Sequence, residues 1–272
     1  MNLIDWMDDP IPREQMLCHY TDYCAALNHI LPERALKFSS LRKTHDPLEF
    51  EDFSYGAGSV AAGDRAVVLE SMDRGLQLGT EEQQIVKGKA KIGCFTIDAT
   101  DISGELHHKA CYRCRMWSQY AKAHTGVCLV FDRNRLISVL RGQVGDAYTF
   151  LQQRIFYSND LGELQRRVFI QPKDTVYTAK ERVLKNADWY FFTKLADFRD
   201  ENELRICYWR EATDADSDCE ILSVGDALAG VLLGNSFPQE YRPTAINEAR
   251  KLGVPVLQIL WLHGTPFWVE VT

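Results

Sequence analysis

The chain has 272 residues, with 31 Lys and Arg against 38 Asp and Glu, a net charge of −7, and 46% hydrophobic residues. At roughly 150 residues per domain this predicts one large domain or two small ones, able to bury a core without a disulfide or metal. The 17 glycines and 9 prolines are too few for a low-complexity chain, and the acidic balance argues against a broad, non-specific grip on nucleic acid while leaving room for a local basic groove.

The opening decade, Met1 to Pro10, is acidic and has no basic-then-apolar run, so it does not read as a signal peptide. No stretch approaches the ~18 apolar residues of a membrane span. Several of the eight cysteines sit in apolar runs such as Gly126-Val-Cys-Leu-Val-Phe131, where a thiol behaves as a small buried hydrophobe. The expectation is a reduced, cytoplasmic protein with no membrane contact.

Residues 1–15 read as a lead-in arm and 16–272 as one domain. Met16–Tyr20 is predicted as a buried strand. Asp22–Leu31 is predicted as a helix capped by Thr21 or Asp22 and stopped by Pro32. Ala35–Ser39 alternates like a strand, and Asp46-Pro47 marks a turn. Residues 54–65 read as a small-residue loop, 79–91 as a polar surface helix or loop, Ile92–Ile97 as a strand and 98–110 as a polar connection. Arg115–Lys122 has helical spacing and Val127–Phe131 reads as a buried strand. Further strands are predicted at 154–157, 204–209 and 256–262, with helices over 159–170, 175–197 and 242–252, the last ended by Gly253. His263 to Pro266 turns the chain into a terminal hairpin. Strands mixed with helices and no strict βαβ rhythm predict an α+β fold.

Four short segments can carry chemistry. In Glu201-x-Glu203-x-Arg205, a strand would place three ionic side chains on one face, the guanidinium relieving carboxylate repulsion, unless this is an ordinary solvated strand face. His19, in Cys18-His-Tyr20-Thr21, can donate to a ribose hydroxyl with help from Thr21, or be a core histidine bonded to a backbone carbonyl. Ser39 and Ser40 can hold a ligand or start a turn, Asp46 forms a turn, and Glu49 has no signal of its own. Trp117 and Tyr120, three apart, share a helix face that can stack a heterocycle or pack into the core. Cys111 and Cys114 resemble half a zinc site, but the chain has no second CxxC, so no metal is expected.

Taken in order, His-Tyr-Thr, Phe38-Ser-Ser40, Asp46-Pro-Leu-Glu49, Cys94-Phe95, Met116-Trp-Ser-Gln-Tyr120-Ala, Gly126 to Asp132 and Glu-x-Glu-x-Arg resemble the bacterial and phage domain-of-unknown-function family 2971 over residues 16–271. More distantly, His19, Ser39-Ser40, Tyr120 and Glu203 follow the order of site residues in ADP-ribosyltransferase-like folds, and Glu201-Asn-Glu203 is similar to the paired glutamates of their arginine-modifying branch. That resemblance implies a split, mixed or antiparallel sheet with flanking helices, and NAD as a substrate. Breaking the nicotinamide–ribose bond builds positive charge on the sugar. The resemblance implies Glu203 stabilising that charge and Glu201 taking a proton. It further implies His19, with Tyr20 and Thr21, on the adenosine ribose; Ser39 or Ser40 supporting the glutamate; Tyr120 or Trp117 stacking on nicotinamide; and Arg205 orienting the glutamates or meeting a phosphate. The expected function is an ADP-ribosyltransferase or NAD glycohydrolase of a toxin or phage-defence type, acting on a protein or nucleic-acid acceptor. The other readings are a non-enzymatic nucleotide- or partner-binding sensor, and a nucleic-acid-modifying transferase using Arg113, Arg115, Lys122, Arg133 and Arg135.

Overall fold

The apolar runs pair into one ten-stranded sheet, seen in a computed structural model that describes residues 15–44, 46–52, 65–100, 106–146, 148–160, 177–210 and 217–271. Residues 1–14 of the arm predicted over 1–15, 54–64 of the loop predicted over 54–65, 161–170 of the helix predicted over 159–170 and 101–105 of the polar connection lie outside the described residues, while Asn159 and Asp160 are described and not helical. Strand β1 (Met16–Thr21) runs antiparallel to β6 (Val127–Asp132), from Met16 opposite Asp132 to Thr21 opposite Val127. Beyond β6 come β12 (Leu228–Leu233), β13 (Val256–Leu262) parallel to it, and β14 (Thr265–Glu270). His263 and Gly264 make a two-residue turn with φ of 51° and 82°, so the last strand starts at Thr265.

The sheet divides at β3 (Lys91–Thr96). One edge of β3 pairs with β10 (Glu203–Arg210), which pairs in turn with β7 (Tyr148–Arg154). The other edge meets two strands in succession. Ile92 stands opposite Ser39 of β2 (Ala35–Ser39), and Thr96 stands opposite Cys18 of β1. Cys94, midway between them, faces a gap where β1 and β2 diverge. The far side of β2 carries β11 (Cys219–Ser223). Two small sheets, β4 (Ala99–Thr100) with β5 (Leu106–His108) and β8 (Phe156–Ser158) with β9 (Thr193–Leu195), complete the strands described. The protein is a mixed α+β structure with a large, mainly antiparallel sheet.

The helices depart from their predicted bounds for local reasons. Helix α1 runs through Tyr23–Ala25, the π-helical Ala26–Ile30 and Leu31–Glu33. Asp22 caps it, accepting from the Ala25 N–H at 3.0 Å, because Thr21 is still held in the β1 ladder. Pro32 sits within the last turn, and the chain leaves the helix at Arg34 with φ of 49°. Asp46 precedes a short helix, α2 (Pro47–Phe50), rather than a simple turn. Helix α3 (Arg65–Gln83) continues into the π-helical Gln84–Lys89, whose Val86 and Lys87 are buried, so the end of the polar stretch 79–91 is not a surface element. The span predicted as one helix over 175–197 breaks at Asn186 into α6 (Ala179–Lys185) and α7 (Ala187–Phe192), with α4 (Cys114–Gln119) and α5 (Arg133–Val144) before them. From Trp189 to Leu195 the apolar run lacks helical period, and the chain extends at Thr193 into β9. Helix α8 (Arg242–Lys251) matches its prediction, with Gly253 left-handed just beyond it. No helix among the described residues is long and apolar enough to cross a membrane.

Alternation divides the core. Leu17, Phe95, Leu129 and Leu204 face a front cluster beneath α1, α5 and α8. The back face carries two clusters. One packs Cys18, Tyr20, Cys128 and Leu232 against Met116 and Trp117 of α4. The other packs Ile92, Cys207 and Trp209 against Val86, Val183, Phe191 and Phe192. A tight crossing closes the first: a Cβ on Gly126 would lie 2.2 Å from the Thr21 carbonyl oxygen, whereas Gly142 in α5 has open space around it. Gly126→Ala should therefore destabilise by about 1–3 kcal/mol in urea unfolding, and Gly142→Ala should stabilise by about 0.5–1 kcal/mol. Equal midpoints for the two variants would contradict this packing.

Candidate functional site

Between the two back clusters a cleft of about 280 Å³ opens, lined by charged side chains together with Met116 and Phe198. One wall is β1 and α4, with His19, Tyr20, Met116 and Tyr120; the other carries Lys194, Glu201 and Glu203. Asp46 and Glu49 come from the segment after β2.

The acidic wall is built around a lysine. The 3-10 turn Ala196–Glu201 is followed by Asn202 with φ of 42°, which a short polar side chain tolerates. Asn202 Nδ2 donates to the carbonyls of Ile97 (2.7 Å) and Asp98 (3.0 Å), fixing the reversal to the end of β3. Glu201 thus belongs to the turn and not to the strand. Of the three ionic residues, Glu203 and Arg205 share the back face of β10, which is buried rather than solvated. Lys194, from β9, donates to Glu201 Oε2 at 2.7 Å and to Glu203 Oε2 at 2.9 Å. Arg205 donates through Nε to Glu203 Oε1 at 2.7 Å and through Nη2 to Oε2 at 3.2 Å. Its Nη1 donates to the Phe191 carbonyl at 2.8 Å and is ion-paired with Glu49 Oε1 at 2.6 Å. Tyr120 donates to Glu201 Oε1 at 2.5 Å.

Burial disfavours these charges, but they outweigh it for one another. Arg205 and Lys194 hold the Glu203 carboxyl well below the usual carboxylate range despite its burial. Burial works against the Lys194 ammonium too, yet Glu203, Glu49 and Glu201 push its pKa above the ordinary lysine value. Burial first, and the Glu201 charge second, raise the Tyr120 phenol, which stays protonated as a donor. Glu203 accepts three hydrogen bonds, one from Lys194 and two from Arg205, whereas Glu201 accepts two, from Tyr120 and Lys194, and retains more open acceptor positions.

His19 lies across the cleft from this wall, in the sheet gap, with Nδ1 3.2 Å from the Cys94 carbonyl oxygen. A carbonyl only accepts, so Nδ1 carries the proton and Nε2 is left as an acceptor. Burial lowers its pKa below the ordinary histidine value, more than the Cys94 bond raises it. The carbonyl-bonded histidine and the cleft-lining histidine are the same side chain. Tyr20 reaches the cleft, but its hydroxyl is turned to the Ala110 carbonyl at 2.6 Å. Thr21 ends the β1 ladder and does not line the cleft. Ser39 and Ser40 line a separate adjoining pocket, so they do not support Glu203. Trp117 is wholly buried, edge-on to Tyr20, its indole N–H donating to the Cys111 carbonyl, and offers no face to a ligand. Arg205, also wholly buried, orients the carboxylates and cannot meet a phosphate. Of the basic residues around β6, Arg113 and Arg115 bind the carbonyls of Asp200 and Asp197, bracing the turn that carries Glu201.

Lys194 and Glu49 are the members that sequence reasoning missed. A lysine inside Trp189-Tyr-Phe-Phe-Thr-Lys-Leu195 is a buried charge awaiting a partner, which was a usable signal; Glu49 offered none. Among the described residues no group of three or more His, Cys, Asp or Glu side chains is arranged to hold a metal.

Removing one partner from such a network leaves buried charge uncompensated. Lys194→Met should cost about 3–5 kcal/mol at neutral pH. The unfolded chain binds more protons than the folded one at Glu203, so this contribution is present above about pH 4.3 and is lost as the pH falls below it; His19 acts in the same direction below about 6.5. Urea midpoints should therefore drop on acidification in the wild type, and the gap to Lys194→Met should narrow. A gap that stays constant across the acid range would contradict the network.

A family model described as "Protein of unknown function (DUF2971)" matches residues 116–206, a stretch that holds Tyr120, Lys194, Glu201, Glu203 and Arg205 but not His19, Ser39 or Ser40. The likeness expected over 16–271 is thus found for this part alone. No curated protein and no solved structure matches the chain.

Proposed function

We propose that the cleft receives the ribose of an NAD-type dinucleotide and that the protein cleaves the nicotinamide–ribose bond, passing ADP-ribose to an acceptor or to water on an ADP-ribosyltransferase-like scaffold. The observation that carries this reading is a pair of carboxylates, one held firmly ionised, in a cleft that also contains a neutral histidine. As the C1′–N bond breaks, its electrons leave with neutral nicotinamide and positive charge grows on the sugar. The fixed negative field of Glu203 stabilises that charge. Glu201, with its free acceptor positions, bonds a ribose hydroxyl or takes the proton of the attacking group. His19 Nε2 accepts from the second sugar, and the half-buried Tyr120 ring borders the nicotinamide. No metal enters this reading. The chemistry suits a cytoplasmic toxin or defence protein, with a protein or nucleic acid as acceptor.

A second reading is favoured by the three hydrogen bonds that tie Glu203 to Lys194 and Arg205: the network holds the wall in shape, and the cleft binds a nucleotide without turning it over. Nicotinamide release from NAD, with lysate as acceptor source, separates the two. Wild-type protein should release it, and Glu201→Gln should be slower by about a hundredfold per folded molecule; because the amide offers one acceptor oxygen where Tyr120 and Lys194 use two, its melting temperature should also fall, and the rates are compared well below it. Saturable NAD binding with no release, by contrast, would sink the transferase reading and leave the binding module.

A further inference from the structure

Beside the cleft lies a second pocket of about 200 Å³, and His19, Lys43, Thr44, Cys94 and Phe95 form the wall common to both. Leu36, Phe38 and Ile92 give the second pocket apolar sides. Ser40 lines it too; its Oγ is buried and makes no hydrogen bond. A buried hydroxyl left in this way is destabilising, and a ligand atom that bonds it removes the penalty.

The two pockets differ in charge. Asp46, Glu49, Glu201 and Glu203 line the first and are absent from the lining of the second, whose charged side chains are Lys37 and Lys43. Lys43 stands at the junction. Its ammonium is 2.9 Å from Asp218, with both side chains more than half exposed, so exchanging that partner costs little. An anionic group in a ligand spanning both pockets avoids the carboxylates and settles at Lys43.

We propose that the two pockets are one site for a ligand of two ring systems joined through phosphate, with Lys43 meeting the phosphate at the junction and Ser40 Oγ bonding the second ring system. This rests on the nucleotide reading of the cleft and extends it: the reacting ribose lies by the glutamates, and a nucleobase lies between the apolar walls of the second pocket.

Calorimetric titration of the full chain with ADP-ribose, ADP and inorganic pyrophosphate tests it, using wild type, Lys43→Met, Asp218→Asn and Ser40→Ala. ADP-ribose should bind wild type, and Lys43→Met should weaken it about tenfold. Asp218→Asn, which releases the ammonium, should tighten it. Ser40→Ala should weaken binding while its unfolding midpoint stays level or rises, because the hydroxyl makes no bond within the protein. A fall in that midpoint would show a structural serine and overturn its assignment. Equal affinity in wild type and Lys43→Met overturns the junction while leaving the nucleotide reading standing. Lys43-dependent binding of ADP or pyrophosphate, without binding of ADP-ribose or release of nicotinamide, supports the phosphate site and overturns the ribosyl reading. Failure of all three probes to bind at millimolar concentration overturns the proposal.

Discussion

The Lys194 ammonium is the contact on which the cleft depends. Two carboxylates forced together without it repel strongly in a poorly solvated setting. With it, Glu201 on a turn and Glu203 on a strand share one cation, and Arg205 extends the network to Glu49 on α2. Ion pairs of this kind contribute little net stability over an apolar substitute, but they are unforgiving of partial removal. Their main effect here is geometric: β9, the 3-10 turn, β10 and α2 are held at fixed separation, and Glu203 and Lys194 keep their charges over a broad pH range.

The cleft itself is a consequence of how the back face is filled. Met116 and Trp117 cover the β1–β6–β12 half, and Phe191 and Phe192 cover the β3–β10 half. Neither set reaches the other. Charged residues occupy the interval because they satisfy one another there, and the divergence of β1 and β2 from β3 leaves the Cys94 carbonyl for His19 instead of for a ladder partner. The histidine is thus a structural plug and a cleft surface at once.

Much of this was legible in the chain, and the rest was hidden for definite reasons. Continuous apolar runs such as Val127–Phe131 could be read as buried strands because burial on both faces removes alternation. The convergence of His19 with Glu201 and Glu203 followed from a resemblance in motif order, and the coordinates bring the three to one cleft. The placement of Glu201 off the strand was not legible, because the left-handed Asn202 that separates it from Glu203 depends on carbonyls of Ile97 and Asp98 more than a hundred residues earlier. Trp117 and Tyr120 have the same spacing signal but opposite fates: one meets Tyr20 in the core, and the other meets Glu201 at the cleft edge. Helical period records a shared face, not which neighbour arrives to cover it. Glu49 acquires meaning only through Arg205, a long-range pairing that no local pattern encodes.

Strand connectivity has a consequence for biogenesis. β1 and β2 are synthesised before the other described strands, yet β1 must wait for β3 and β6, and β2 for β11, whose Cys219 stands opposite Ser39. Such distant pairings impose high contact order and slow acquisition of the native topology. The gap between β1 and β2 takes shape only after β3, β6 and β11 have been translated, so nascent chains carry the first motif residues before they possess a competent pocket.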